Sequence, residues 1–98
     1  MTKKNFNELK NIQRTFVRVK IDPGKEEKIM EKLMSLKGIS EIHYIPGDYD
    51  FLVILDLERG FLRESHQTSL SFVTEKIRSI KEIYETNTIV PAKSLIKE

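Results

Sequence analysis

Ile39-Ser40-Glu41-Ile42-His43-Tyr44-Ile45 is followed by Pro46-Gly47-Asp48-Tyr49-Asp50 and then by Phe51-Leu52-Val53-Ile54-Leu55-Asp56-Leu57, and this stretch decides the fold. Both flanking runs are short, β-rich in composition and bounded by turn residues, so each reads as a strand. A link this short joins two strands only as an antiparallel hairpin.

Before the hairpin, Lys25 to Lys37 places Ile29, Met30, Leu33, Met34 and Leu36 at helical spacing. Glu26 and Glu27 in its first turn and Lys37-Gly38 at its end suit the helix dipole and a C-cap. Upstream again, Thr15-Phe16-Val17-Arg18-Val19-Lys20-Ile21 alternates in the period of a strand with one face on a core. Asp22-Pro23-Gly24 breaks it, with Asp22 as the expected capping side chain. After the hairpin, residues 58–68 are polar and irregular. Leu70, Val73, Ile77 and Ile80 then mark a second helix, and Ile83 to Val90 a last β-branched strand closed by Pro91. The order β-α-β-β-α-β, with right-handed βαβ connections, predicts an α+β ferredoxin-like sandwich. Its antiparallel four-stranded sheet has the first and third strands central and two helices on one face. The expected division is a basic arm at 1–14, the domain at 15–91 and a tail at 92–98 without a clear assignment.

The chain has 98 residues, enough for one domain and too few for two. Hydrophobic residues make up 39% and charged ones 33%, the balance of a soluble globular chain. With no cysteine, disulfide scaffolds, zinc knuckles and thiol nucleophiles are excluded. The longest apolar run is far short of a membrane span and the N-terminus lacks a secretion signal, so the expected address is cytoplasmic and no membrane partner is expected. Net charge is +2, but residues 1–14 alone carry +3, leaving a slightly acidic body. Such a body has little with which to release counterions from phosphates, and no direct nucleic-acid contact is expected.

The sheet face away from the helices is not polar. Strand parity places Phe16, Leu52 and Ile54 there, and an uncovered apolar face on so small a chain predicts a two-fold homodimer through the sheet. Cover by the arm or the tail is the alternative.

Chemistry concentrates at Gly47-Asp48-Tyr49-Asp50. Gly47 can take a positive φ and expose backbone N–H groups to a carboxylate, Asp50 can meet an ammonium, and Tyr49 can wall off an apolar side chain. These groups complement a free amino acid. Ordinary turn chemistry explains the same residues. No metal site or cofactor is expected: His43 and His66 stand without neighbouring ligands, and Ser65, Thr68, Ser69 and Ser71 read as caps rather than nucleophiles. Phe6, Leu9 and Ile12 are expected to form a short amphipathic turn against a neighbour's surface.

Thr15 to Glu27, Ile42 to Val53, and Phe72 to Ile80 with Thr86-Asn87-Thr88-Ile89-Val90 resemble the ligand-binding domain of the Lrp/AsnC regulators, over about residues 15 to 90. The resemblance implies binding of a free amino acid as effector, assembly of dimers into higher oligomers, a role in transcription regulation of amino-acid metabolism, and no enzymatic activity. Gly47, Asp48, Tyr49 and Asp50 match the family's effector-sensing loop, and Thr86 and Thr88 the threonines of its last strand. Four features depart from the family's pattern: the long loop from Glu58 to Ser69, Lys81-Glu82-Ile83 where Pro-Gly-Val is usual, the arm before the first strand, and Tyr84 with the C-terminal tail. Fourteen residues are also too few for the family's helix-turn-helix. A stand-alone effector domain is therefore expected, possible partners being full-length Lrp/AsnC regulators.

The alternatives are a purely structural oligomerisation partner and an amino-acid-binding module of another ferredoxin-like family, whose pocket would lie near Pro23-Gly24. An acylphosphatase-like enzyme would need an arginine where Asp22 stands, and an RNA-recognition sheet would need more aromatics on its central strands.

Overall fold

The computed structural model describes residues 5–47, 50–58, 71 and 73–97. Its elements are β1 (Phe6–Glu8), β2 (Ile12–Ile21), α1 (Glu26–Met34), β3 (Ile39–Tyr44), β4 (Phe51–Glu58), a second helix α2 described at residues 71 and 73–78, β5 (Ile83–Ile89) and β6 (Leu95–Lys97). The main sheet has the order β3-β4-β2-β5 and every pairing in it is antiparallel. This is the ferredoxin-like arrangement, with β2 and β4 central as expected.

Alternation in β2 sends Val17, Val19 and Ile21 into the core, where they meet Phe51, Val53 and Leu55 of β4, Ile29 and Leu33 of α1, and Ile77 of α2. Ile80 and Ile83 close the far side. Val73 is half-buried, and Leu70 of the expected stripe lies outside the described residues, as do the long loop at 59–70 and His66.

Strand β2 starts at Ile12, earlier than hydrophobic alternation indicates, because its inward positions there are polar. Gln13 is buried and donates through Nε2 to the Pro91 carbonyl at 3.2 Å. Thr15 is fully buried, its Oγ1 without a hydrogen-bond partner among the described residues.

Helix α1 ends at Met34, short of Lys37. Its entry is not capped by Asp22, whose backbone N–H instead donates to the Glu82 carbonyl at 3.0 Å. Glu26 does the local work, accepting from the Gly24 N–H at 2.8 Å. At the exit, Gly38 sits at φ +99°, and a Cβ there would lie 3.0 Å from Leu57 Cδ2. The left-handed backbone favours glycine here, and a Cβ would also press on the end of the Leu57 side chain.

Glu82 is a link that composition does not reveal. It is buried, and it ties the turn before β5 to α1 through Lys32 at 3.1 Å and Lys28 at 3.7 Å. The Lys32 ammonium, helped by a backbone hydrogen bond, holds the carboxyl below its ordinary range.

The arm and the tail pair with each other. Strand β1 runs antiparallel to β6 with Phe6 opposite Lys97 and Glu8 opposite Leu95, and the Leu9 N–H donates to the Ser94 carbonyl at 2.9 Å. The expected amphipathic turn at Phe6, Leu9 and Ile12 is thus replaced by extended chain, because the tail supplies backbone partners that a local pattern cannot show. Phe6, Leu95 and Ile96 remain exposed on this ribbon.

The helix-free face of the sheet carries a row Ile54–Phe16–Ile89 across β4, β2 and β5, with Leu52 next to it. It is more polar than strand parity alone suggested. Arg14 donates to both Asp56 oxygens at 2.8 and 2.9 Å, and His43 Nε2 lies 2.9 Å from Glu41 Oε1. The Arg14 hydrogen bond outweighs desolvation and, with a contribution from Ser40, lowers the Asp56 pKa. A depressed folded-state pKa adds stability above the unfolded value, and that contribution is lost as pH falls through the folded one. Acid titration of wild type against Asp56→Asn should show it: the wild-type advantage shrinks below about pH 4, the ordinary aspartate value. A difference that stays constant down to acid unfolding would remove the ion pair from the account.

Candidate functional site

The link between β3 and β4 is fastened to β2 by one residue. The Asp50 N–H donates to the Val19 carbonyl at 2.9 Å, and the Asp50 carbonyl accepts from the Ile45 N–H at 2.7 Å. The side chain adds a third bond: Asp50 Oδ2 accepts from the Ile21 N–H at 3.0 Å. The half-buried carboxylate therefore extends the sheet ladder past the last β2–β4 pair. Among the described residues Oδ1 has no hydrogen-bond partner.

Gly47 is exposed at φ +151°, a backbone conformation that favours glycine, and the space where its Cβ would sit is open. Asp48 and Tyr49 lie outside the described residues. A residue that the sequence reading did not place at this site stands at the end of β3. Tyr44 pairs across the hairpin with Phe51, the two rings meeting edge-on at 5.6 Å between centroids. Phe51 is buried and Tyr44 is half in water, so an aromatic wall stands at this corner within the described chain. The available signal was parity, since Tyr44 lies on the core side of β3 next to an exposed turn.

Thr86 and Thr88 occupy the helix-side face of β5, opposite Val19 and Val17 of β2. Thr86 is half-buried and accepts from Arg78 Nε at 3.4 Å; Thr88 is exposed. Val19 also pairs with Phe51, so Thr86 and Phe51 are two strand spacings apart, about 10 Å. Thr88 lies two residues further along, roughly 7 Å more. Gly47 and Asp50 thus form one corner, while the threonines form a second polar strip across β2.

Among the described residues no group of three or more His, Cys, Asp or Glu side chains could hold a metal ion, and no helix is long and apolar enough to cross a membrane. The groups present are a carboxylate oxygen, a glycine turn and an aromatic pair at the hairpin corner, and two hydroxyls on β5.

Similar solved structures share this fold. FFRP-DM1 has 29% identity and a TM-score of 0.66, with 81% of this chain and 97% of that chain covered. A hypothetical protein from Pyrococcus horikoshii has 29% identity and a TM-score of 0.65, covering 82% of this chain and 88% of that one. A Neisseria meningitidis transcriptional regulator, solved as a complex with L-Met, shares the fold at 15% identity and a TM-score of 0.65, with 84% of this chain but only 51% of that chain covered. No curated protein matches the chain. The Lrp/AsnC ligand binding domain model matches residues 14–98, so β2 from Arg14 onward, the hairpin, β5 and the C-terminal strand fall inside it, and the chain belongs to that family of regulatory ligand-binding domains.

Proposed function

We propose that this chain senses a free amino acid at the Gly47–Asp50 corner. Asp50 Oδ1 faces the ammonium, the backbone of the Gly47-Asp48-Tyr49 turn takes the carboxylate, and the aromatic side of the corner receives the side chain. Thr86 and Thr88 of a neighbouring copy complete the site. The copies associate two-fold through the Phe16, Leu52, Ile54 and Ile89 face and then into a higher oligomer. The slightly acidic body acts on transcription through other regulators, full-length Lrp/AsnC relatives among them, rather than by contact with DNA.

One observation supports this reading: Asp50 is held in place by three hydrogen bonds, while its other carboxylate oxygen has no partner among the described residues. A fixed acceptor at an accessible corner costs little to organise when a cation arrives. The Neisseria complex with L-Met lends support from the same fold.

Thermal melts with each amino acid test it. Ligand at a hundred times Kd stabilises by about 2.7 kcal/mol. For a domain of this size that raises the melting temperature by roughly 10–20 °C. Light scattering with and without the effective amino acid would report assembly. Unchanged melting with every amino acid at millimolar concentration would leave a structural oligomerisation partner as the function.

A further inference from the structure

The threonine strip of β5 has a cation on it. Ile77 and Ile80 are buried in the core. Arg78, between them, turns to the β5 side, where its Nε donates to Thr86 Oγ1 at 3.4 Å. Its Nη1 lies 3.6 Å from Glu75 Oε1, one helical turn back, and both side chains are more than half exposed. An ion pair this wet holds weakly and exchanges readily. Among the described residues Nη2 of Arg78 has no hydrogen-bond partner. Arg18 also reaches β5, but it meets Asn87 on the helix-free face, away from the threonines.

We propose that Arg78 is a carboxylate-binding residue of the effector site. Its guanidinium, beside Thr86, shares the α-carboxylate of the amino acid with the Gly47-Asp48-Tyr49 turn of the neighbouring copy, whose Asp50 takes the ammonium. This rests on the reading that Thr86 and Thr88 complete the corner of another copy, because Arg78 stands on the same strip as they do. The site then sets a carboxylate of one protomer against a guanidinium of the other, and each half alone matches half of the ligand. The ligand class narrows accordingly. A molecule must carry a free ammonium and a free carboxylate side by side, which admits α-amino acids and turns away simple amines and amino-acid amides.

The chemistry of arginine suits this task. Its planar fork matches the two oxygens of a carboxylate and stays charged at every working pH. A carboxylate also has acceptor positions enough for the fork and for backbone N–H groups together. With Nε donating to Thr86, the end of the fork formed by Nη1 and Nη2 points past the strand. Glu75 holds that end in the absence of ligand, and an arriving carboxylate replaces it. One anion is exchanged for another, so the guanidinium keeps a counter-charge throughout.

Titration calorimetry tests the role with the amino acid that most raises the wild-type melting temperature, and with its primary amide, which keeps the ammonium but carries no negative charge. Arg78→Gln should bind the amino acid at least about ten-fold more weakly, the expected loss of a charge-assisted contact, and bind the amide within about two-fold of wild type. Arg78→Lys keeps the charge without the fork and should lose only about three-fold. Arg78 is exposed, so the variants should melt like wild type when no ligand is present. Arg78→Gln that binds the amino acid as wild type does would leave Arg78 a surface partner of Glu75 and overturn the role. Equal weakening towards acid and amide would make it a prop for Thr86 and overturn it too. Both of those results leave amino-acid sensing standing. A wild type that responds to no amino acid removes the site itself, and the role of Arg78 with it.

Discussion

Phe51→Ala is expected to destabilise the protein by about 3–5 kcal/mol, the usual cost of emptying a large buried aromatic site. Phe51 is almost fully buried, and it opens β4 at the point where the hairpin meets β2. It pairs with Val19 on one side and Tyr44 on the other, so its loss opens a cavity under the corner and removes the edge-on ring contact. Domains of this kind are stable by only about 5–15 kcal/mol, and the substitution therefore consumes a large part of the margin. Urea unfolding should show the midpoint falling with little change in slope. A loss below about 1 kcal/mol would mean that the core collapses around the gap, and that Phe51 is not what props the corner.

Asp50 is the second position with a large expected effect, and two substitutions separate its two roles. Asp50→Ala leaves the Ile21 N–H without its acceptor in a half-buried setting, at a cost of about 1–3 kcal/mol. Asp50→Asn keeps an acceptor oxygen and should retain most of that stability. The two are expected to behave alike towards ligand, since neither offers a negative charge to an ammonium. The diagnostic result is an Asp50→Asn protein that melts near wild type yet no longer responds to the amino acid that stabilises wild type. An Asp50→Asn protein that still responds fully would make the residue a strand fastener and nothing more. The carboxylate is both fastener and candidate ligand group, so the alanine variant alone would confuse the two.

The core was legible wherever apolar residues repeat at the period of their element. Val17, Val19 and Ile21 alternate, and Ile29 and Leu33 are one helical turn apart; their burial follows from spacing alone. The hairpin was legible because turn residues separate two apolar runs. Hidden from pattern were the interactions made by polar groups over long distances in sequence. Gln13 enters the core because Pro91 offers a carbonyl, and Glu82 is buried because two lysines of α1 reach it. The pairing of β1 with β6 joins the two ends of the chain, and no local window contains both.

At the candidate site the same division holds. Gly47 and Asp50 announce themselves by residue type, but the bond from Ile21 to Asp50 depends on how β2 and β4 line up. The separation of the threonines from the corner depends on strand order, in which β2 stands between them. Sequence adjacency and family pattern group these six residues together; the sheet divides those it describes into two strips.

The fastening of Asp50 to β2 has a mechanical consequence. Ile21 is fastened to Asp50 on one flank, while on the other it faces Ile83 across the extra residue that β5 carries there. The Asp50 N–H also donates to the Val19 carbonyl, and Val19 stands in register with Thr86, so the hairpin corner and the threonine strip hang on opposite flanks of the same few residues of β2.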